Sequence, residues 1–159
     1  MRRDLRADGI AWRLMAALIT AMPAAASADV QINRLSDMTF GALPTTGADQ
    51  VQTESVCAAS GLIGGLYSVT ATGSGSGGLF TLANGSAALP YEVQWSATAG
   101  QSSGTNLTAG SALTGLTAAL LNCTLGPNAS LIVVIRGAQI VKATAGSYSG
   151  TLTIILSAN

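Results

Sequence analysis

The chain contains no histidine. That absence removes the commonest general base, the commonest zinc ligand and every nucleophile arrangement that depends on an imidazole. Charge is scarce as well: Asp, Glu, Lys and Arg make up 9% of the 159 residues, against about 25% in an ordinary globular domain. Seven basic groups balance seven acidic ones. With no basic cluster the chain lacks the electrostatic footprint of nucleic-acid binding, so nucleic acid is not an expected partner. No apolar run reaches the roughly 18 residues of a membrane span, so no integral membrane segment is expected in the mature form. The run Gly73-Ser74-Gly75-Ser76-Gly77-Gly78 has no lysine near it and cannot be a phosphate loop; its composition is that of a flexible hairpin tip. Calcium loops of the Asp-x-Asp-x-Asp kind are missing too. Neither a metal nor a cofactor is expected.

What is present begins with an address. Arg2, Arg3, Arg6 and Arg13 precede an apolar stretch from Leu14 to Ala26, and Ala26-Ser27-Ala28 offers a small-x-small cleavage site. Residues 1–28 therefore read as a secretory signal peptide, leaving a mature domain of residues 29–159. Arg34, Arg136 and Lys142 then face Asp29, Asp37, Asp49, Glu54 and Glu92, a net charge of −2. Both cysteines stay. In an exported chain, Cys57 and Cys123 read as one disulfide, closing a loop of about 66 residues worth roughly 4 kcal/mol on the chain-entropy model. The competing readings are two reduced thiols or a shared metal site, but CxxC spacing and histidine are both missing.

Short β-rich runs separated by Gly, Ser, Asn and Pro predict an all-β sandwich. The candidate strands are Val30 to Leu35, Val51 to Cys57, Leu66 to Thr72, Leu79 to Leu82, Tyr91 to Ala97, Leu131 to Gly137 and Thr151 to Ser157. Alternation puts Tyr91, Val93 and Trp95 on a core face, with Glu92 and Gln94 on a wet one. Leu131 to Ile135 is apolar at every position and predicts a strand covered on both sides. Ala112 to Leu121 is ambiguous between a short helix and strand or loop, and its Thr and Gly content favours the latter.

Paired carboxylates remain the one route to catalysis. Asp37, Asp49, Glu54 and Glu92 are the candidates, and their turn or polar-face positions suit solvated surface better than a cleft. Leu43-Pro44-Thr45-Thr46-Gly47 matches a sortase signal but lies near the start of the mature chain, where an ordinary turn explains it. The four Asn-x-Ser/Thr matches, among them Asn84-Gly85-Ser86, are likewise explained by turn preference.

The ordered set of residues resembles a family. Ile32-x-x-Leu35-x-Asp37-x-x-Phe40-Gly41 comes first, then Cys57 and Tyr67-Ser68-Val69-Thr70-Ala71-Thr72-Gly73. Leu89-Pro90-Tyr91-x-Val93-x-Trp95, Leu113-Thr114-Gly115-Leu116, Cys123 and Ala145-Gly146-Ser147-Tyr148-Ser149-Gly150-Thr151-Leu152-Thr153-Ile154 follow. Together they are similar to the pilins of archaic chaperone–usher fimbriae and the spore coat protein U-like domains. The resemblance implies an immunoglobulin-like β-sandwich missing its last strand, completed by a donor strand from a periplasmic pilus chaperone and then from a neighbouring pilin subunit at an outer-membrane usher. It implies export through the periplasm to a surface fimbria, and no enzymatic activity.

On that reading Leu152, Ile154 and Leu156 of the terminal strand flank the partner-strand groove, and no residues remain after Asn159 for a further strand. Val30, Ile32 and Leu35 are the candidate donor strand, although residues 29–37 can equally be the first strand of the fold. The rival is a free-standing extracellular β-sandwich that binds carbohydrate or another surface ligand on Trp95 or Tyr91. A hydrolase using Glu54 and Glu92 is a third possibility, requiring those side chains to converge.

Overall fold

The computed structural model describes residues 29–159 except 45, 62, 63, 121 and 122. The expected signal peptide lies outside the described residues. The regular structure is nearly all strand, arranged as an immunoglobulin-like sandwich. One sheet runs in the order β1 (Val30–Asn33), β2 (Gln50–Ser60), β10 (Ala129–Ile135), β6 (Glu92–Ser96) and β7 (Thr105–Asn106), with β9 (Ala119–Leu120) added parallel to β2. The other has the order β11 (Leu152–Ala158), β3 (Leu66–Gly73) and β8 (Ala112–Thr117). A separate hairpin pairs β4 (Thr81–Asn84) with β5 (Ala87–Pro90), and a four-residue helix, α1 (Gly137–Ile140), follows β10.

The all-apolar run finds the place its composition requires. Strand β10 is buried at every position between β2 and β6; Leu131, Val133 and Ile135 join the core, while Ile132 and Val134 are buried on the opposite face. Tyr67 and Trp95 anchor the centre of the core. Their rings meet edge to face at 6.3 Å, and the Trp95 indole N–H donates to the Tyr67 hydroxyl at 3.1 Å, so neither polar atom is stranded by burial. Burial pushes the Tyr67 phenol above its ordinary pKa, partly offset by the Trp95 bond.

Three expectations are corrected. Gln94 is buried, not wet, because the segment after β6 folds back over that face. Its side-chain oxygen accepts from Gly104 N–H at 3.0 Å, and Ser130 Oγ accepts from Gln101 N–H and donates to Thr98 C=O. The glycine-rich run is not a hairpin tip, since β3 and β4 belong to different sheets. Gly75 N–H instead donates to Leu79 C=O at 3.0 Å, and a Cβ at Gly73 or Gly75 would collide with that same carbonyl. The strand expected through Gly137 stops at Ile135, where the chain turns into α1. A Cβ at Gly137 would strike the Gly47 carbonyl, so this close approach requires glycine.

Cys57 and Cys123 form a disulfide with Cα atoms 6.2 Å apart, pinning β2 to the segment after β9. Among the described residues, no helix is long and apolar enough to cross a membrane.

Candidate functional site: a trough beside the last strand

Strand β11 is an edge strand, and its register fixes what it presents. Leu152, Ile154 and Leu156 lie opposite Gly73, Ala71 and Val69 of β3 and are half-buried, while Thr153 and Ile155 are exposed. Asn159 N–H donates to Leu66 C=O at 3.0 Å. Counting back in twos, the backbone groups of Ser157, Ile155 and Thr153 face β3, and those of Leu156, Ile154 and Leu152 face the other way. That outward edge has no partner strand among the described residues.

Beside it runs a trough of about 1310 Å³. Small-molecule pockets are commonly about 300–1,000 Å³, so this one is large for a metabolite. Its floor is the core itself: Tyr91, Leu131, Val133, Ile135 and Ile140. Those floor residues are nearly covered, Leu131 at 4% exposure and Val133 at 6%. The apolar surface still open to solvent belongs to the rims, where Leu152, Ile154, Met38, Phe40, Leu43 and Leu82 pack on the core from one side only.

The two rims are secured differently. On the β11 side, Ala83 and Ser149 exchange backbone hydrogen bonds of 2.8 and 3.0 Å. Asn84 Nδ2 also donates to Ala145 C=O at 3.4 Å, and Thr151 N–H donates to Ser74 Oγ at 3.1 Å. The opposite rim, residues 35–44, is irregular chain that crosses the inner face of β2. The Ser36 hydroxyl donates to a Glu54 carboxylate oxygen, and Gln52 Nε2 donates to Thr39 C=O at 3.2 Å.

Glu54 therefore does not sit on a solvated strand face as the alternation suggested. It lies opposite Leu131, on the core side, and its Oε2 is buried with no hydrogen-bond partner among the described residues. Polar Gln52 and Glu54 occupy core-facing positions because the 35–44 rim lies across them and supplies their partners.

Glu92 is on the other face of the same sheet, opposite Val134. Glu54 and Glu92 do not converge. Glu92 instead takes two bonds from the Arg136 guanidinium, whose third nitrogen reaches Asp49 at 2.8 Å; Asp49 also accepts from Gly137 N–H. The Gly137 and Arg136 bonds hold Asp49 below its ordinary pKa, the Arg136 bond does the same for Glu92, and the two carboxylates raise Arg136. This cluster ties the starts of β2 and β6 to the end of β10, outside the trough. Asp37 is the one charged side chain in the trough lining among the described residues. The trough offers apolar contact and a backbone edge.

Val30 and Ile32 of the candidate donor segment lie in β1, paired with Ser60 and Ala58 and packed on the core; Leu35 is 45% exposed on the irregular rim. Leu152 and Ile154 line the trough, while Leu156 packs on the core beyond it. Trp95, the proposed sugar platform, is 1% exposed, and Tyr91 is stacked on Phe80 at 5.7 Å. From sequence, Tyr91 of the floor was expected in a site only as a sugar platform, and Leu35 and Asp37 of the rim only as a donor residue and a carboxylate; the other floor residues and the rest of the 35–44 rim were not expected in a site. Leu131 to Ile135 carried a signal for the floor; the rim has no periodicity to read.

No family model matches the chain, and no curated protein matches it. Among solved structures, it is similar to a chain from a study described as "Chaperone-tip adhesin complex is vital for synergistic activation of CFA/I fimbriae biogenesis". The TM-score is 0.58 at 19% identity, over 82% of this chain and 42% of the other. The present chain thus spans less than half of that one. At this identity the likeness shows the fold, a β-sandwich of the kind found in a fimbrial assembly complex.

Proposed function

We propose that the protein is an exported, non-enzymatic structural or adhesive subunit of a bacterial surface fimbria, and that the trough receives a β-strand from another chain. The observation that carries this reading is the coincidence of β11's backbone edge, without a partner strand among the described residues, with an apolar trough directly beside it. An extended strand laid along Leu152 and Ile154 would take up the outward N–H and C=O groups. Its alternate side chains would cover the rims that now pack on one side only. A small ligand could do the second but not the first. The occupant is an apolar-alternating strand, lent in turn by a periplasmic chaperone and by a neighbouring subunit at an outer-membrane usher. The disulfide agrees with an oxidising compartment, and the solved structure it resembles comes from a fimbrial system. The alternative, a free-standing carbohydrate binder, has no exposed aromatic platform in its favour at Trp95.

The test is to compare residues 29–159 produced alone with the same chain carrying a ten-residue strand of alternating Val and Thr on a flexible C-terminal linker. The account expects the bare chain to be the less stable of the two and to aggregate as it is concentrated. The extended chain should be a monomer melting about 10 °C or more higher, the effect of a few kcal/mol in a domain of this size. Equal melting temperatures and a monomeric bare chain would refute it.

A further inference from the structure

A strand that docks beside β11 can pair only as far as the receiving edge is held straight, and β3 stops holding it early. Its last residue, Gly73, lies opposite Leu152, the first of β11. The chain upstream of Leu152 nevertheless continues in line.

The hydrogen bonds follow one parity throughout. Asn159 N–H donates to Leu66 C=O, which turns the odd-numbered backbone groups of β11 toward β3. Thr151 N–H, two positions before Thr153, donates to Ser74 Oγ at 3.1 Å. Two positions earlier again, Ser149 and Ala83 exchange bonds of 3.0 and 2.8 Å as an antiparallel bridge. Residues 147–151 contain no turn or bend, and Ser149, Gly150 and Thr151 line the trough with Leu152 and Ile154. The backbone groups of Gly150 therefore face outward with those of Leu152, Ile154 and Leu156.

Ser74 takes over from β3 at the point where the strand ends, and its neighbours put it there. A Cβ at Gly73 would collide with Leu79 C=O and one at Gly75 with Thr81 Oγ1, so the chain on both sides of Ser74 lies tight against the approach to β4. The Ser74 hydroxyl donates to Thr81 C=O at 3.4 Å while it accepts from Thr151, so both of its capacities are used and its direction is fixed. Gly150 closes the arrangement: a Cβ there would come within 2.9 Å of that same hydroxyl oxygen.

We infer that Ser74 is a positioning residue that lengthens the acceptor edge. By standing in for β3 at Thr151, and with Ala83 holding Ser149, it extends the edge from the seven residues of β11 to residues 149–158. The occupant is then a strand of about ten residues, each of which rises about 3.3 Å along the edge. The inference rests on the strand-acceptor reading above and adds the residue that sets the occupant's length. The Gly-Ser-Gly run, which has the composition of a linker, becomes a fixed part of the site.

The experiment couples strand length to Ser74. The native chain, kept dilute, is titrated with fluorescently labelled strands of alternating Val and Thr, seven and ten residues long, and binding is read by anisotropy. The longer strand should bind about tenfold tighter, the effect of its additional backbone hydrogen bonds. In Ser74→Ala that ratio should fall below about threefold while the affinity for the shorter strand stays as it was. A second reading needs no variant: the Gly150 amide should exchange more slowly with the ten-residue strand bound and not with the seven-residue one.

Equal affinities for the two lengths would overturn the inference, as would a Gly150 amide indifferent to strand length. So would an unchanged ratio in Ser74→Ala, the result expected of a residue that supports only the fold. Binding of both strands without dependence on length removes this inference and leaves the acceptor reading intact. Failure of both strands to bind removes both.

Discussion

Trp95 is where the competing readings separate at the level of single residues. An indole that stacks on sugars has to face solvent; this one is in the core, with its N–H held by Tyr67. Replacing Trp95 by Phe removes the hydrogen bond, leaves the Tyr67 hydroxyl without that partner and opens a cavity. The variant should be less stable by about 2–4 kcal/mol, read from the shift of the urea midpoint at unchanged slope. A change below about 0.5 kcal/mol, the size of an ordinary surface substitution, would contradict the burial. Alternation in Tyr91-Glu92-Val93-Gln94-Trp95 was enough to put Trp95 inside. It was not enough for Gln94, whose burial depends on the return of residues 98–104 over the outer face. Glu54 escaped for a similar reason: its strand alternates, but which face is wet depends on the upstream segment 35–44, whose Ser36 lies 18 positions before it.

At the scale of elements, the strands with β-branched or continuous apolar sequence were legible and the weak ones were not. Strand β5 is Ala-Ala-Leu-Pro, with little strand preference of its own, and it forms because Gly85-Ser86 reverses the chain between the paired Asn84 and Ala87. Gly85, at φ 59°, takes the first position of this two-residue loop, where a positive φ favours glycine. Strand β7, two residues long, exists only as a pairing to β6.

The starts of β2 and β6 are joined to the end of β10 through Arg136, and this join sets a pH dependence. Asp49 and Glu92 have native pKa values lowered by their hydrogen bonds. Their contribution is therefore fully present above the unfolded carboxylate range, about pH 4, and is lost as pH falls through the lower native values. Stability should decline from about pH 5 toward pH 2, with an uptake of up to about two protons on unfolding attributable to this pair. Arg136→Met should flatten that decline and leave the neutral-pH fold in place, as measured by urea unfolding at a series of pH values. An unchanged pH slope in the variant would mean that other groups govern acid unfolding.

For the molecule as a whole, the sandwich and the disulfide could be read from composition and spacing, while the trough could not. Its two rims come from segments about a hundred positions apart in sequence, 35–44 and 143–154, and one of them has no regular structure. Only the register of β11 on β3 shows which backbone groups are left facing outward. The central claim is that this edge waits for a strand, and amide hydrogen exchange of the partner-free chain tests it most directly. Thr153, Ile155 and Ser157, bonded to β3, should be protected, whereas Leu152 and Ile154 should exchange about tenfold faster or more and slow markedly once the tethered strand is supplied. Equal protection of all five amides in the chain alone would mean that the edge is already satisfied, and would contradict the account.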